Sequence, residues 1–516
     1  MSVFFKEVGE ANPVKKGDAE DLLRDLGVKI DSKDSDDYHQ LLAAVHDCAE
    51  QLLELPDYQP VPDLKKYPRE NLHVPTESEQ VYGHAWAHKF LIKGDQSSKL
   101  LAGKSVCLKD CIAVAGVPQF YGSDAFPAWT PSTDATVVTR VLDAGADIHG
   151  TAVCESFCNS TSSFTSAQGT IENPYKHGYS AGGSVGIKPT HGLVPYTGVT
   201  SGDAVDDHAG PLARTVLEAA ACLDAIAGYD DIDDRSLGSA AHGSFQFLES
   251  IQSVNTSPLP LSGLRIGLLA EGFDQPVVES RVKDTVLAAA KKFEQLGATV
   301  EEISVPEHLE GPLIWTIQQR ISGAAGVLGQ AHGRRGLSLT EFEQARLPWT
   351  ADNFDKLFPS TKNTVINGIY LAKRFPGLYG KSINMARKIR DAYQKAFEKY
   401  DVLVMPTTPY VAPRHGSRES PRSCFEPSIG LTSNTAVFNV TGHPAMSVPV
   451  GFAPAKEDPD ILLPRGYADC WRVMAGEEDA ESWPGLGEQL RLEGRQVKTE
   501  PSTSLDQRGC ARWPAQ

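Results

Sequence analysis

The sequence predicts an α/β protein in which α-helices flank a β-sheet core, preceded by an N-terminal helical segment. From about residue 100 onward, short apolar strands alternate with amphipathic helices. This alternation is typical of a largely parallel sheet covered by helices. Before it, residues 18–55 carry apolar side chains three and four positions apart, which predicts an amphipathic helix: Tyr38, Leu41, Leu42, Val45, Cys48, Ala49 and Leu52.

The elements of the α/β region follow from their apolar patterns. Ser105–Leu108 is the first predicted strand, Asp134–Ala144 is a predicted helix closed by Gly145, and Asp147–Val153 is the next predicted strand. The same order returns in the second half of the chain, with predicted strands at Leu264–Leu269, Thr299–Val305 and Val402–Met405 and predicted helices at Ser280–Leu296 and Ser382–Lys399.

Changes in composition divide the chain into three parts. Residues 1–75 form the helical segment and a connector that is rich in proline from Pro56 to Pro75. Residues 76–464 form the main α/β domain. Residues 465–516 are polar and lack hydrophobic periodicity, so we expect this tail to be disordered or loosely packed.

Charge and hydrophobicity exclude several classes of partner. The formal net charge is −17, and without a basic excess a nucleic-acid partner is not expected. No apolar run approaches the roughly 20 residues of a membrane span, and the N-terminus lacks the apolar stretch of a signal peptide. These features predict a soluble, cytoplasmic protein with no membrane association.

No cofactor or metal is predicted. The chain lacks a strand-linked G-x-G-x-x-G, a phosphate loop and a His-Glu-x-x-His pattern. Its nine cysteines are too sparse for a disulfide framework. Cys107/Cys111 and Cys154/Cys158 are each four residues apart, but zinc sites favour tighter pairs with histidine nearby, so buried free thiols are the expectation.

One short stretch, HGYSAGGSVGIKPT at residues 177–190, holds two candidate nucleophiles. Ser180 fits the G-x-S-x-G pattern of a nucleophile elbow, which requires a strand before the serine and a helix after it. Turn residues precede Ser180, and the glycine-rich segment after it cannot hold a helix. We therefore expect Ser180 to be a turn residue in a flexible loop.

An ordered series of segments resembles the amidase signature family. The series runs through GKSVCLKD (103–110), AGADIHGTAVCE (144–155), NPY (173–175), GIKPTHG (186–192) and GPLAR (210–214), and the likeness covers roughly residues 30–455. The resemblance implies a mixed β-sheet core and an amidase that hydrolyses a small-molecule carboxylic amide to an acid plus ammonia or an amine. It implies no cofactor, and it allows a homodimer.

The resemblance also implies a Ser-Ser-Lys triad. In such a triad a neutral lysine takes a proton from a middle serine, which relays it from the nucleophilic serine, and an acyl-enzyme forms. Lys109, at the end of an apolar strand, matches the base. A hydroxyl needs a base to become nucleophilic, and burial is what makes a lysine fit for that role. Asp110 is expected to support the following turn.

The sequence departs from the family pattern at the serines. The family has two glycine–serine loops, whereas here Gly182-Gly183-Ser184 runs directly into Val185-Gly186-Ile187. Ser184 is then either the relay serine, which we favour, or the nucleophile with Gly182 and Gly183 beside the oxyanion. The alternative function is a catalytically inert pseudoenzyme or binding protein on this fold. A second departure begins after Leu462–Gly466, where the tail diverges.

Residues 310–380 are rich in aromatic side chains that either line an acyl pocket or belong to the core, and the core is the favoured interpretation. Phe157 is a further candidate for the pocket. The aromatic residues in question are Trp315, Phe342, Trp349, Phe354, Phe358, Tyr370, Phe375 and Tyr379.

Overall fold

The structure, a computed structural model, describes residues 8–24, 26–252, 258–456 and 458–465. Apart from Arg465, the tail predicted at 465–516 lies outside the described residues. The chain divides into two compact units, one ending at Pro60 and one beginning at Val61. The boundary predicted at residue 75 stays a prediction.

The first unit contains two helices where the sequence predicted continuous helical character: α1 (Asp18–Arg24) and α2 (Ser35–Leu53). The buried side chains of α2 are Ala43 and Ala44. The preceding segment binds this small-residue face, since Asn12 Nδ2 donates to the Ala43 carbonyl at 2.8 Å. The predicted apolar face is therefore exposed instead of buried, as the large side chains along it show: Tyr38, Leu41, Val45 and Leu52.

The second unit contains the remaining elements. Its strands are β1 (Glu70–His73), β2 (Trp86–Ile92), β3 (Ser105–Lys109), β4 (Asp147–Ala152), β5 (Val185–Lys188), β6 (Leu212–Ala213), β7 (Arg265–Leu269), β8 (Thr299–Ile303), β9 (Val402–Val404), β10 (Ala445–Ser447), β11 (Gly451–Pro454) and β12 (Leu462–Arg465). Its helices are α3 (Thr136–Asp143), α4 (Val216–Ile226), α5 (Phe247–Gln252), α6 (Ala270–Phe273), α7 (Ser280–Gln295), α8 (Gly311–Val327), α9 (Thr340–Arg346), α10 (Ala351–Asp355), α11 (Pro359–Arg374), α12 (Leu378–Phe397), α13 (Pro421–Phe425) and α14 (Ala436–Thr441).

The strands pair in the orders β1-β2-β4-β3, β8-β7-β9, β10-β5-β6 and β11-β12. Among these described strands, β3–β4, β7–β8 and β7–β9 are parallel, and the other pairs are antiparallel. The prediction of largely parallel strands is therefore wrong, whereas the α/β class with mixed sheets is confirmed. The parallel neighbours are joined through helices, as a crossover requires, and strands joined without one pair antiparallel.

The largest apolar core lies between the β1-β2-β4-β3 sheet and helices α3 and α4. Helix α3 confirms the helix predicted from residue 134, because its valines and Leu142 are buried against this sheet. A second core joins α8, α12 and α14 to the β8-β7-β9 sheet, with Ile389 and Tyr393 fully buried. Each of these two sheets is thus packed against helices, and this packing holds the ends of its strands in place.

Gly150, in the middle of β4, tests the packing of the first sheet. Its φ is +146°, and a Cβ there would lie 2.3 Å from the His88 carbonyl oxygen on β2. We expect Gly150→Ala to lower the free energy of unfolding by about 2–3 kcal/mol, because the rigid neighbouring backbone must move. Urea unfolding of the purified variant measures this change.

The matched control is Gly380→Ala, in the exposed first turn of α12, where a Cβ meets nothing within 4 Å. This change removes only backbone freedom, so it should raise the free energy of unfolding by about 0.5–1 kcal/mol. Equal stabilities for the two variants would contradict the assigned β2–β4 pairing.

Candidate active site

Lys109 ends β3 at the carboxyl edge of a parallel strand pair. The strand alternates, with Val106 and Leu108 buried and Lys109 half-buried. Lys109 is in register with Ala152, the last residue of β4. The carboxyl ends of parallel strands are where α/β proteins most often place their reactive groups. The predicted base therefore stands at a suitable edge of the sheet.

Asp110 holds the turn that follows Lys109, as expected. Its backbone N–H donates to the Ala152 carbonyl at 2.9 Å. Its buried carboxylate accepts hydrogen bonds through Oδ2 from the backbone N–H groups of Phe120 and Tyr121 at 3.0 and 2.9 Å. Burial raises the pKa of Asp110 to about 8 although these donors oppose the rise. Asp110 thus positions Lys109 and the 119–122 segment.

Three cysteines surround the end of β3, in a grouping that spacing alone did not predict. Hydrogen bonding with Cys111 and Cys154 and the positive charge of Lys109 lower the pKa of Cys158 well below its usual range. Burial, followed by the interaction with Cys158, raises the pKa of Cys111 and of Cys154. The spacing of these cysteines in the sequence contains no signal for the grouping.

Ser180 is not an exposed nucleophile. It is fully buried, and its hydroxyl donates to the Ser162 carbonyl at 2.8 Å. Its backbone N–H donates to the Pro413 carbonyl at 2.9 Å. The segment leads into strand β5 and not into a helix, so the elbow is excluded as the sequence predicted. The flexibility expected for this loop stays a prediction.

The loop Gly182–Ser184 is half-buried and directly precedes β5. Gly183 has a φ of +101°, and a Cβ there would lie 2.8 Å from the Pro464 ring on β12, so this position requires glycine. Within the described residues, the backbone N–H groups of Gly182, Gly183 and Ser184 have no hydrogen-bond acceptor. They are therefore available as donors to a bound group.

Lys109 ends β3, whereas Ser184 directly precedes β5. The loop of Ser184 packs against Pro464 and Tyr175 through Gly183. The roles of Lys109 and Ser184 as catalytic partners stay a prediction.

Lys188, at the end of β5, is a titratable group that the sequence analysis did not single out. Burial lowers the pKa of its ammonium to about 7, and Nζ donates to the Pro189 carbonyl at 2.9 Å. His443, whose pKa is lowered to about 4 mainly by burial, also feels the charge of Lys188. No local pattern in the sequence indicates that this ammonium is buried.

The aromatic residues divide between core and surface: Phe342 is buried, whereas Tyr370 and Phe375 are exposed. Phe157 packs edge-on against Tyr121 and Phe126 and also contacts Trp349, and its own exposure is 4%. Phe342, equally buried, belongs to the same cluster. In the described structure these rings fill the interior behind the 155–158 turn.

In the described residues, no cluster of three or more His, Cys, Asp or Glu side chains is arranged to hold a metal ion. No helix in the described ranges is long and apolar enough to cross a membrane.

The fold is that of an α/β protein with mixed sheets, and comparison with known proteins specifies the family. Residues 78–184 and 185–466 match the family described as Amidase, so the chain belongs to the Amidase family. The match breaks between Ser184 and Val185, which is where the sequence places the missing segment.

Individual relatives agree with this assignment. The chain is 35% identical over 432 residues to an enantioselective amidase from Rhodococcus rhodochrous, covering 74% of this chain and 81% of that protein. It is 28% identical to a subunit of the glutamyl-tRNA(Gln) amidotransferase from Marinomonas sp., covering 75% and 84%. The structure of a peptide amidase from Stenotrophomonas maltophilia matches with a TM-score of 0.54 and 26% identity, covering 71% and 80%.

The titration of Asp110 provides a test of the turn that supports Lys109. Because its pKa is about 8 when folded, well above the ordinary aspartate value, stability from this group is present at low pH and is lost as pH rises toward 8. Asp110→Asn keeps an acceptor for Phe120 and Tyr121 without a charge. Between pH 6 and pH 9, the free energy of unfolding of this variant should therefore rise by about 2 kcal/mol relative to that of the wild type.

Guanidinium unfolding at the two pH values measures this difference. Asp110→Ala is the control, because it leaves the two backbone N–H groups without their acceptor and should be destabilised by about 1–3 kcal/mol at pH 6. An Asp110→Asn protein whose stability follows that of wild type at both pH values would contradict the assigned protonation.

Proposed function

We propose that this chain hydrolyses a carboxylic amide to an acid and ammonia or an amine through a serine acyl-enzyme, with Lys109 as the base and Ser184 as the nucleophile. The observation that carries the proposal is the loop Gly182–Ser184, whose half-buried backbone N–H groups have no acceptor among the described residues. Donors held in this way stabilise the oxyanion that forms when a carbonyl is attacked.

The nucleophilic role of Ser184 is preferred over the relay role. A relay serine acts only between its lysine and a second serine, and the segment in which the resembled family carries that second serine is missing after Ser184. As nucleophile, Ser184 follows Gly182 and Gly183, so its attack places the oxyanion beside their N–H groups. Proton transfer from Ser184 to Lys109 then passes through a water molecule, an arrangement that general bases accept.

The alternative of an inert pseudoenzyme or binding protein finds no support in the comparisons. The family match extends over the whole α/β region from residue 78 to residue 466. The relatives in that comparison carry the names of amide-cleaving enzymes. Amide hydrolysis is therefore the function that accounts for both the fold and the lysine at the strand edge.

The proposed substrate is a small or hydrophobic amide. One relative is named as a subunit of a glutamyl-tRNA amidotransferase, and another as an enantioselective amidase. A net charge of −17 gives this chain no basic surface to attract a polyanionic RNA. We therefore assign it a free small-molecule amide and no nucleic-acid partner.

A homodimer and a cytoplasmic location stay predictions.

Replacing Lys109 tests the base. Lys109→Ala removes the proton acceptor, so kcat for hydrolysis of a reactive anilide should fall by about 10²–10⁴-fold. Released aniline, followed by absorbance, measures the rate. Lys104→Ala is the matched control, since Lys104 lies just before β3 and forms an ion pair with Glu218 at 2.8 Å. Equal rates for the two variants would remove Lys109 from the mechanism.

Replacing Ser184 tests the nucleophile. A fluorophosphonate probe should label the wild type at Ser184, and Ser184→Ala should lose that labelling together with amide hydrolysis. Ser180→Ala should keep the labelling and lose only about 1 kcal/mol of stability, because its hydroxyl bonds the Ser162 carbonyl. Peptide mass spectrometry locates the adduct. Labelling that persists in Ser184→Ala would contradict the proposed role.

A further inference from the structure

One half-buried arginine on α8 has no counter-ion among the described residues. Arg320 makes a single hydrogen bond there, from Nη1 to the hydroxyl of Thr364 on α11. Burial lowers the pKa of its guanidinium, and no neighbouring carboxylate opposes that decrease. A cation that is partly removed from water without a charged partner is unfavourable, so the position of Arg320 requires an explanation.

Other buried arginines of the chain satisfy their guanidinium groups internally. Arg140 donates to three backbone carbonyls at 2.7 to 2.9 Å. Arg69 forms a buried ion pair with Asp134. Arg320, in contrast, has one neutral hydroxyl as its acceptor in the described structure. It is therefore the arginine whose surroundings leave donors for an external group.

The open edge of the Arg320 guanidinium is formed by Nε and Nη2. Neither nitrogen has an acceptor among the described residues, and neither is fully buried. Both therefore keep surface that a small ligand can reach. Nε and Nη2 present two parallel N–H donors, and this spacing matches the two oxygens of a carboxylate.

Thr364 connects Arg320 to the edge of the sheet where Lys109 lies. The fully buried Thr364 hydroxyl accepts from Arg320 and donates to Asn159 Oδ1 at 3.3 Å. Asn159 belongs to the segment that follows β4, and the last residue of β4 is in register with Lys109. Helices α8 and α11 touch here, since a Cβ on Gly368 would lie 2.2 Å from the Arg320 carbonyl oxygen. The guanidinium is therefore held against the segment beyond this strand.

We propose that Arg320 binds a carboxylate of the substrate through Nε and Nη2, so that the preferred substrate is an amide whose acyl part carries a second, free carboxylate. This inference rests on the proposed hydrolysis of a carboxylic amide. The acyl part is the part that stays bound through both half-reactions of an acyl-enzyme, whereas the amine leaves after the first. A net charge of −17 repels anions in general, so such a preference needs a local cation.

The first test compares two primary amides of equal length, succinamate and butyramide, which differ by a carboxylate in place of a methyl group. Released ammonia gives kcat/KM for each amide with the full-length protein. We expect the wild type to prefer succinamate, and we expect Arg320→Met to lower this preference by about 10–100-fold. Arg320→Lys keeps the charge but loses the parallel donors, so it should restore only part of the preference.

Arg387→Met is the matched control, because Arg387 is an exposed arginine on α12. It should leave the ratio of the two kcat/KM values as in the wild type. An equal loss of preference in Arg387→Met and Arg320→Met would show that the general charge of the protein, and not the guanidinium of Arg320, sets the preference.

Binding separates this inference from the hydrolysis on which it rests. Isothermal titration calorimetry measures the affinity of Ser184→Ala, which should not turn the amides over, for succinamate and for butyramide. We expect succinamate to bind more tightly, and we expect the difference to disappear when Arg320→Met is added. If the wild type hydrolyses neither amide but this difference is present, the proposed hydrolysis is wrong and the carboxylate site stands.

Three results would overturn the carboxylate site. The first is equal affinity of the protein for the two amides, which needs no variant of Arg320. The second is a preference for succinamate that survives Arg320→Met. The third is tighter binding of inorganic phosphate than of succinamate, because a site built for a planar carboxylate should favour the latter.

Discussion

The parallel pairing of β3 with β4 is the constraint on which the site depends. Because Lys109 and Ala152 are in register, the two strands end together, and the side chains that follow them meet at one edge. Asp110 strengthens this edge by binding the 120–121 backbone from a buried position. The lysine and its supporting turn derive their positions from this pairing, and the valines of α3 are buried in the same core.

The second constraint is the direct passage from Ser184 into β5. A segment that the family carries between the two is missing here, as the break in the family match at this junction indicates. Pairing of β5 with β6 and β10 holds the end of the loop, and Pro464 packs on Gly183. The loop thus keeps its donor groups half-buried.

Much of the fold could be predicted from the sequence, because local patterns determine it. The apolar spacing of Val137, Val141 and Leu142 is enough to define α3, and the strand before Lys109 follows from alternation. Sheet pairing was harder, since whether β2 and β10 run parallel or antiparallel depends on connections that contain no regular signal. The buried face of α2 was also missed. This face consists of Ala43 and Ala44, and the preceding segment binds it through a hydrogen bond to a backbone carbonyl and not through large apolar side chains.

The site was predicted in part. Lys109 and Asp110 could be placed because their segment resembles a family block and ends an apolar strand. The interaction of Cys158 with Cys111 could not be predicted from spacing, since the two residues are far apart in the sequence. Lys188 was missed because nothing local reveals that its ammonium is buried. The distance between Lys109 and Ser184 depends on the tertiary structure, and the order of the motifs along the chain does not determine it.

The most direct test of the account is to trap the acyl-enzyme. Wild-type protein is mixed with a reactive aryl amide, quenched in acid within the first turnover, and digested for tandem mass spectrometry. The account predicts an acyl group on Ser184 that forms at a reduced rate in Lys109→Ala. An acyl group on any other residue, or turnover with no covalent intermediate, would contradict it.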